Sequence, residues 1–180
     1  MALFRFEGRE PQVDPTAFIA ESALVIGDVH IGKNAYIGHG AILRGDYGTI
    51  HVGEGTALEE GVIVHARPAD KTTIGKYVTV GHGAVIHNAT IGDNAVIGMR
   101  ALISDYSHVG EWTIIGEMGL VRNSQEVPPG KVAVGVPVRV IGDIEEKHRM
   151  IWSYGKQLYV DMAQRYQVPG AFEQIDLPPK

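Results

Sequence analysis

The chain has 180 residues, 44% of them hydrophobic and 21% charged, the proportions of one ordinary globular domain. Its net charge of -5 excludes a bulk pull toward nucleic acid or an anionic membrane, and its lack of cysteine excludes disulfides and thiolate metal sites. The opening MALFRFEGREP has no signal-peptide core and no apolar run is long enough to span a bilayer, so a cytoplasmic location is expected.

Along the chain, aliphatic residues recur at every sixth position. The series runs through Ile19, Val25, Ile31, Ile37 and Leu43, then Val52, Leu58 and Val64, then Ile74, Val80 and Ile86, and finally Ile91, Ile97, Ile103, Val109, Ile115, Val121 and Val127. A small or β-branched residue often stands four places later, as at Ala23, Ala41, Val62, Ala84, Thr90 and Ala101, and glycine often follows the aliphatic, as at Gly38, Gly81 and Gly98. A period of six fits neither an amphipathic helix nor one long strand. It fits a short strand and a tight turn, repeated, and such units bury their apolar side only by stacking into a solenoid. The pattern resembles the hexapeptide-repeat proteins over roughly residues 12 to 140. That resemblance implies a mainly β fold, a left-handed parallel β-helix with three hexapeptides per coil; crossover rules alone favour the right hand.

The period breaks three times. Leu43 to Val52 has three extra residues, Val64 to Ile74 has four, and Ile86 to Ile91 is one short. Insertions into a solenoid are expected as edge loops, near 44–51 and 66–73, within a β-helical domain spanning 1–140. A second region, 141–180, begins with an amphipathic pattern. Ile144, Ile151, Trp152, Leu158, Tyr159, Met162 and Tyr166 fall at helical spacing, predicting a helix over about 143–166 with Asp143 as N-cap, packed along the solenoid of its own or a neighbouring subunit. Tyr154 and Tyr159 are expected to pack rather than to reach a site. The tail QVPGAFEQIDLPPK reads as irregular.

Counting in repeats brings distant histidines together. Ile86 starts a unit one coil beyond Val64, so His87, directly after Ile86, shares a column with His65, directly after Val64. Adjacent strands are about 4.8 Å apart, and two ligand nitrogens on one tetrahedral zinc are a little over ~3 Å apart, so the stacked rings can lean onto one ion. His82 belongs to the unit begun by Val80, on another side of the prism, and is expected to reach such a pair only across a subunit interface. Three histidines and a water form the open site that zinc uses in catalysis. Arg44 lies one coil below His65, with Asp46 two residues on; Glu59 and Glu60 follow Leu58 in the unit before Val64.

The strings LRGD, ALEEGVIVH and VGHGAVIH together resemble the γ-class carbonic anhydrases and their shorter PaaY- and CaiE-like relatives. The resemblance implies a homotrimer with metal sites at its interfaces, holding zinc or, alternatively, iron(II) or cobalt(II). His65, His82 and His87 would be the metal ligands, Arg44 and Asp46 an intersubunit ion pair beside the site. Two departures stand out: Glu59 replaces the family's glutamine, which orients the metal-bound hydroxide, and Glu60 replaces its neighbouring aspartate. ARPADK supplies only Asp70 where the family prototype has an acidic loop with a proton-shuttle glutamate.

The implied activity is reversible hydration of CO2 to bicarbonate by a metal-activated water, with Glu59, Arg44 and Asp46 around the reacting centre. Three other functions fit parts of the sequence. The same metal could hydrolyse a thioester or another small acyl compound. Acyl transfer, common among hexapeptide proteins, uses one basic histidine and not a trio. A trimeric scaffold would hold its metal only structurally.

Overall fold

The computed structural model describes residues 2–175; the end of the tail, 176–180, lies outside the described residues. The chain winds into about seven turns of a left-handed parallel β-helix followed by one helix. Parallel pairing stacks each short strand on the one a coil earlier. One face of the prism carries the strands Ile63–His65, Val85–His87, Leu102–Ile103 and Leu120–Val121. A second carries Lys71–Ile74, Thr90–Ile91, His108–Val109 and Glu126–Val127. The third runs from Phe18–Ile19 through Tyr36–Ile37, Ala57–Leu58, Thr79–Val80 and Val96–Ile97 to Ile114–Ile115.

Every aliphatic residue of the six-residue series points inward, and none is more than 7% exposed. Each such side chain, removed from water, contributes on the order of 1.5–3 kcal/mol before chain entropy is charged against it. Thr90 departs from expectation. The unit that is one residue short turns Ala89 inward instead and leaves Thr90 exposed.

The segment expected as a loop near 44–51 is the middle of an eleven-residue strand, Ile42–Val52. It bends around a corner together with Leu24–Ile31, paired throughout apart from a register shift between Gly27 and Val29, and so fuses two faces into one sheet. The ARPADK insertion does form a turn, docked against this corner. A Cβ on Gly48 would stand 2.3 Å from the Arg67 carbonyl oxygen and 2.5 Å from that of Asp70, so only glycine fits there. Asn88, buried and at φ 50°, ties the turn down: its Oδ1 accepts from the Arg67 amide at 3.0 Å and its Nδ2 donates to Asp70 at 2.8 Å.

Two further differences concern the ends. Ala2–Phe4 pairs with Leu24–Ile26, and Gln12–Val13 with His30 and Ile31, adding rungs before the repeat becomes visible. At the far end Lys131–Gly135 and Val138–Asp143 form an antiparallel hairpin, so the division expected at 140 falls inside a strand. Asp143 belongs to that hairpin and pairs with Lys131; it does not cap the helix. The helix is Glu146–Arg165, capped by Glu145, whose side chain accepts from the His148 amide while its own amide donates to His148 Nδ1 at 2.9 Å.

The helix packs on the third face of its own chain. Tyr166 stacks on Phe18 with centroids 4.5 Å apart, Tyr159 meets Tyr36 at 5.2 Å, and Ala163 is fully buried. Ile151 and Leu158, expected on the packed face, point outward with Tyr154. Inward is Lys156, only 3% exposed, its Nζ 5.5 and 5.8 Å from the centroids of Trp152 and Trp112 and without a hydrogen-bond partner among the described residues. Among the described residues no helix is long and apolar enough to cross a membrane.

Candidate metal centre

The strand register pairs Arg44 with His65 and His65 with His87, one column on one face. The two rings lie with centroids 5.1 Å apart, and His65 Nδ1 faces His87 Nε2 at 3.0 Å. Each ring gives its other nitrogen to a carboxylate: His65 Nε2 to Asp46 at 3.2 Å, His87 Nδ1 to Asp105 at 2.5 Å. A carboxylate only accepts, so these contacts place the ring protons on those nitrogens and leave lone pairs on the two that face each other. Burial, then the Arg44 guanidinium, lowers the pKa of His65 and favours its neutral, lone-pair form. Two lone pairs face to face repel unless a cation lies between them, and their separation is close to the ~3.3 Å set by two ligand bonds on a tetrahedral ion. Donation of the distal nitrogen to a carboxylate is also how metal-binding imidazoles are oriented.

The carboxylates are themselves anchored. Arg44 Nη1 donates to Asp46 Oδ2 at 2.6 Å, an ion pair within one chain. Arg67 Nη1 donates to Asp105 Oδ2 at 3.0 Å. Burial works against the ionised form of both aspartates, but their hydrogen bonds and neighbouring positive charge outweigh it and hold both below the ordinary carboxylate range. Asp105 and Arg67 carry no motif of their own in the sequence. Continuing the His65–His87 column one coil higher reaches Ser104, beside Asp105, so repeat counting held the signal.

His82 lies at a different corner, apart from this pair. Its half-exposed ring sits between two glutamates, Nε2 at 3.1 Å from Glu59 and Nδ1 at 2.8 Å from Glu60. A neutral imidazole donates to only one of these carboxylates, an imidazolium to both. Glu59 is buried, accepts from the His82 amide at 3.1 Å, and lies beside the Tyr159 hydroxyl, whose pKa is raised by burial and then by this carboxylate. Tyr159 therefore both packs and touches Glu59. Glu60 accepts from the Tyr36 hydroxyl at 2.9 Å, a contact within its own chain. Among the described residues, no three His, Asp or Glu side chains of a single chain are grouped to hold a metal ion.

Residues 71–105 match the bacterial transferase hexapeptide model of six repeats. The chain is 36% identical to a mitochondrial γ carbonic anhydrase of Arabidopsis thaliana over 91% of its own length, but spans only 62% of that relative. It is 38% identical to the carnitine operon protein CaiE of Citrobacter koseri, covering 92% of this chain and 84% of that one. Among solved structures, a hexapeptide transferase family protein from Anaplasma phagocytophilum superposes with a TM-score of 0.88 at 36% identity, covering 92% of this chain and 98% of the other. With such coverage by both sequence and fold, the chain belongs to the γ-carbonic anhydrase-like hexapeptide-repeat family.

Proposed function

We propose that the protein is a metal-dependent enzyme for the reversible hydration of CO2 to bicarbonate, working at sites shared between subunits of a homotrimer. The observation that carries this is the pair of imidazole lone pairs turned toward each other at 3.0 Å, each ring backed by an aspartate. His65 and His87 of one chain would hold the ion with the partner subunit's His82 as third ligand. Imidazole donors suit zinc, and also iron(II) or cobalt(II). When bound, such an ion supplies the Lewis acidity that brings the pKa of water toward 7.

The protein's own groups do the rest. Asp46 and Asp105 fix the tautomers of His65 and His87, and Arg44 and Arg67 keep those aspartates ionised. Glu59, 3.1 Å from His82 Nε2, would orient a water at the centre, the part played by glutamine in the family pattern, and, unlike an amide, would also accept its proton. Glu60 braces the other nitrogen of His82.

Stopped-flow CO2 hydration on protein of verified metal content tests the reaction. Inactivity with zinc, cobalt and iron(II) alike, across the accessible pH range, overturns it. Sharing is tested separately by mixing unfolded His65→Ala and His82→Ala chains and refolding them together. Random assortment makes about a quarter of the interfaces intact, so metal content recovers to about a quarter of wild type; no recovery refutes a site built from two chains.

A further inference from the structure

The second face of the prism carries another pair of histidines, around the corner from His65 and His87. Strand pairing stacks Gln12, His30, His51 and Thr73 on successive rungs of one column. Ile31 and Val52, which follow the two histidines in sequence, point into the core, so both imidazoles point outward. Their centroids stand 4.6 Å apart, closer than the 5.1 Å of His65 and His87, in an open groove of about 580 Å³. His30 is oriented as the first pair is. Its Nε2 lies 2.9 Å from Asp28 Oδ1, and a carboxylate only accepts, so in the neutral ring Nε2 carries the proton and Nδ1 the lone pair. Asp28 is fixed in turn, its Oδ2 accepting from the Thr49 hydroxyl at 2.7 Å. Among the described residues no hydrogen bond holds the His51 ring, so it can turn either nitrogen toward His30. Burial, then the adjacent His30, lowers the pKa of His51 and favours its neutral, donor form.

The surrounding charges narrow the ligand class. Asp14 and Lys33 line the groove with opposite signs, and the fields of Asp28 and Lys71 oppose each other at His51. A magnesium or calcium ion, which needs several oxygen ligands, finds no carboxylate cage in such balanced surroundings. Imidazole nitrogens select the later first-row divalent ions instead. We propose that His30 and His51 form a second metal site, separate from the candidate centre, for a divalent transition-metal ion held by two adjacent imidazoles with water in its remaining positions. Copper(II) binds tightest, ahead of nickel(II) and zinc(II). Both ligands come from one chain, so this site exists in every chain whether or not the first is shared between subunits.

The probe is copper(II), added to chelator-treated wild type and to a His65→Ala/His87→Ala variant that lacks the first pair, each checked for fold by circular dichroism. The variant should keep one copper equivalent per chain whose electron paramagnetic resonance spectrum shows two equatorial imidazole nitrogens. His51→Phe leaves a ring in the stack but no ligand atom. It should remove this equivalent from both backgrounds, as should His30→Ala. Asp28→Asn should weaken it about tenfold, because the His30 tautomer is no longer fixed, and excess magnesium should not displace it. The readout involves neither His82 nor CO2 hydration, so failure of the shared centre leaves it unaffected. Copper binding that His51→Phe and His30→Ala leave unchanged overturns the proposal. So does coordination by a single nitrogen, or absence of copper from the folded His65→Ala/His87→Ala protein.

Discussion

Lys156→Met should stabilise the protein at neutral pH. The lysine is buried on the inner side of the helix with no partner for its amine among the described residues, and burial lowers its pKa from 10.5 to about 8. The difference of about 2.5 units, at ~1.4 kcal/mol each, makes the charged amine cost about 3 kcal/mol in the folded state. Contact with the two tryptophan rings offsets on the order of 1 kcal/mol, and methionine fills a similar volume. A gain of about 2 kcal/mol at pH 7 is expected, a rise in Tm of about 4–8 °C for a chain of this size. Stability climbs with pH, as it does for a carboxylate of depressed pKa, but here the charged form is the one that costs stability. Below pH 8 the amine is protonated in both states, and the folded chain bears the whole cost. Between pH 8 and 10.5 the folded amine has lost its proton while the unfolded one keeps it, so the unfolded state binds more protons and wild-type stability climbs with pH. Urea denaturation at fixed protomer concentration, at pH 7 and pH 10.5, measures both proteins. The variant should be ahead at pH 7 and level at pH 10.5. A variant no more stable at pH 7, or an advantage that does not shrink with pH, refutes an unpaired buried ammonium.

Asp105→Asn should weaken metal binding 10- to 100-fold in competitive chelator titration without dissociating the proposed trimer, because asparagine no longer fixes the His87 tautomer; unchanged affinity removes Asp105 from the proposed site. Asn88→Ala should cost about 2–3 kcal/mol through two lost hydrogen bonds and a strained positive φ, and Asn88→Gly about 1 kcal/mol less, measured by chemical denaturation. Equal losses in both would mean that the backbone conformation contributes nothing. Asp28 is held low first by the Thr49 hydroxyl, and Asp70 first by the Asn88 amide. Their stabilisation is fully present above the ordinary carboxylate pKa and is lost as pH falls through the lower folded values, so unfolding followed by circular dichroism should begin below about pH 4. Asp28→Asn should make that decline shallower; an unaltered slope excludes Asp28 from it.

The solenoid was legible because its core repeats: a buried aliphatic at every sixth residue is a one-dimensional signal. What escaped depends on pairing between strands. The corner at 44–51 carries extra residues, which suggested a loop, yet it remains a strand because Leu24–Ile31 bends alongside and supplies its hydrogen bonds. The rungs Ala2–Phe4 and Gln12–Val13 are too short to show a period. Asp143 looked like a cap because the hairpin that claims it is held by antiparallel pairing with Lys131–Gly135, which has no hexapeptide signature. At the site, the His65–His87 column followed from counting. Counting also leads to Ser104, next to Asp105, but the turn of the Asp105 and Arg67 side chains into the site and the clasp of His82 between Glu59 and Glu60 depend on side-chain directions at the corners.

The stacking of His87 on His65 also dictates which changes of length the gene can tolerate. Residues added at the ARPADK turn leave both strands in phase, whereas loss of a single hexapeptide between the two histidines rotates everything downstream by one face and carries His87 to another side of the prism. Whole coils added above Asp105 merely lengthen the rod. Length variants should therefore be accommodated as turn residues or as complete coils, and a lone six-residue step between the histidines should abolish the pair while leaving a foldable solenoid behind.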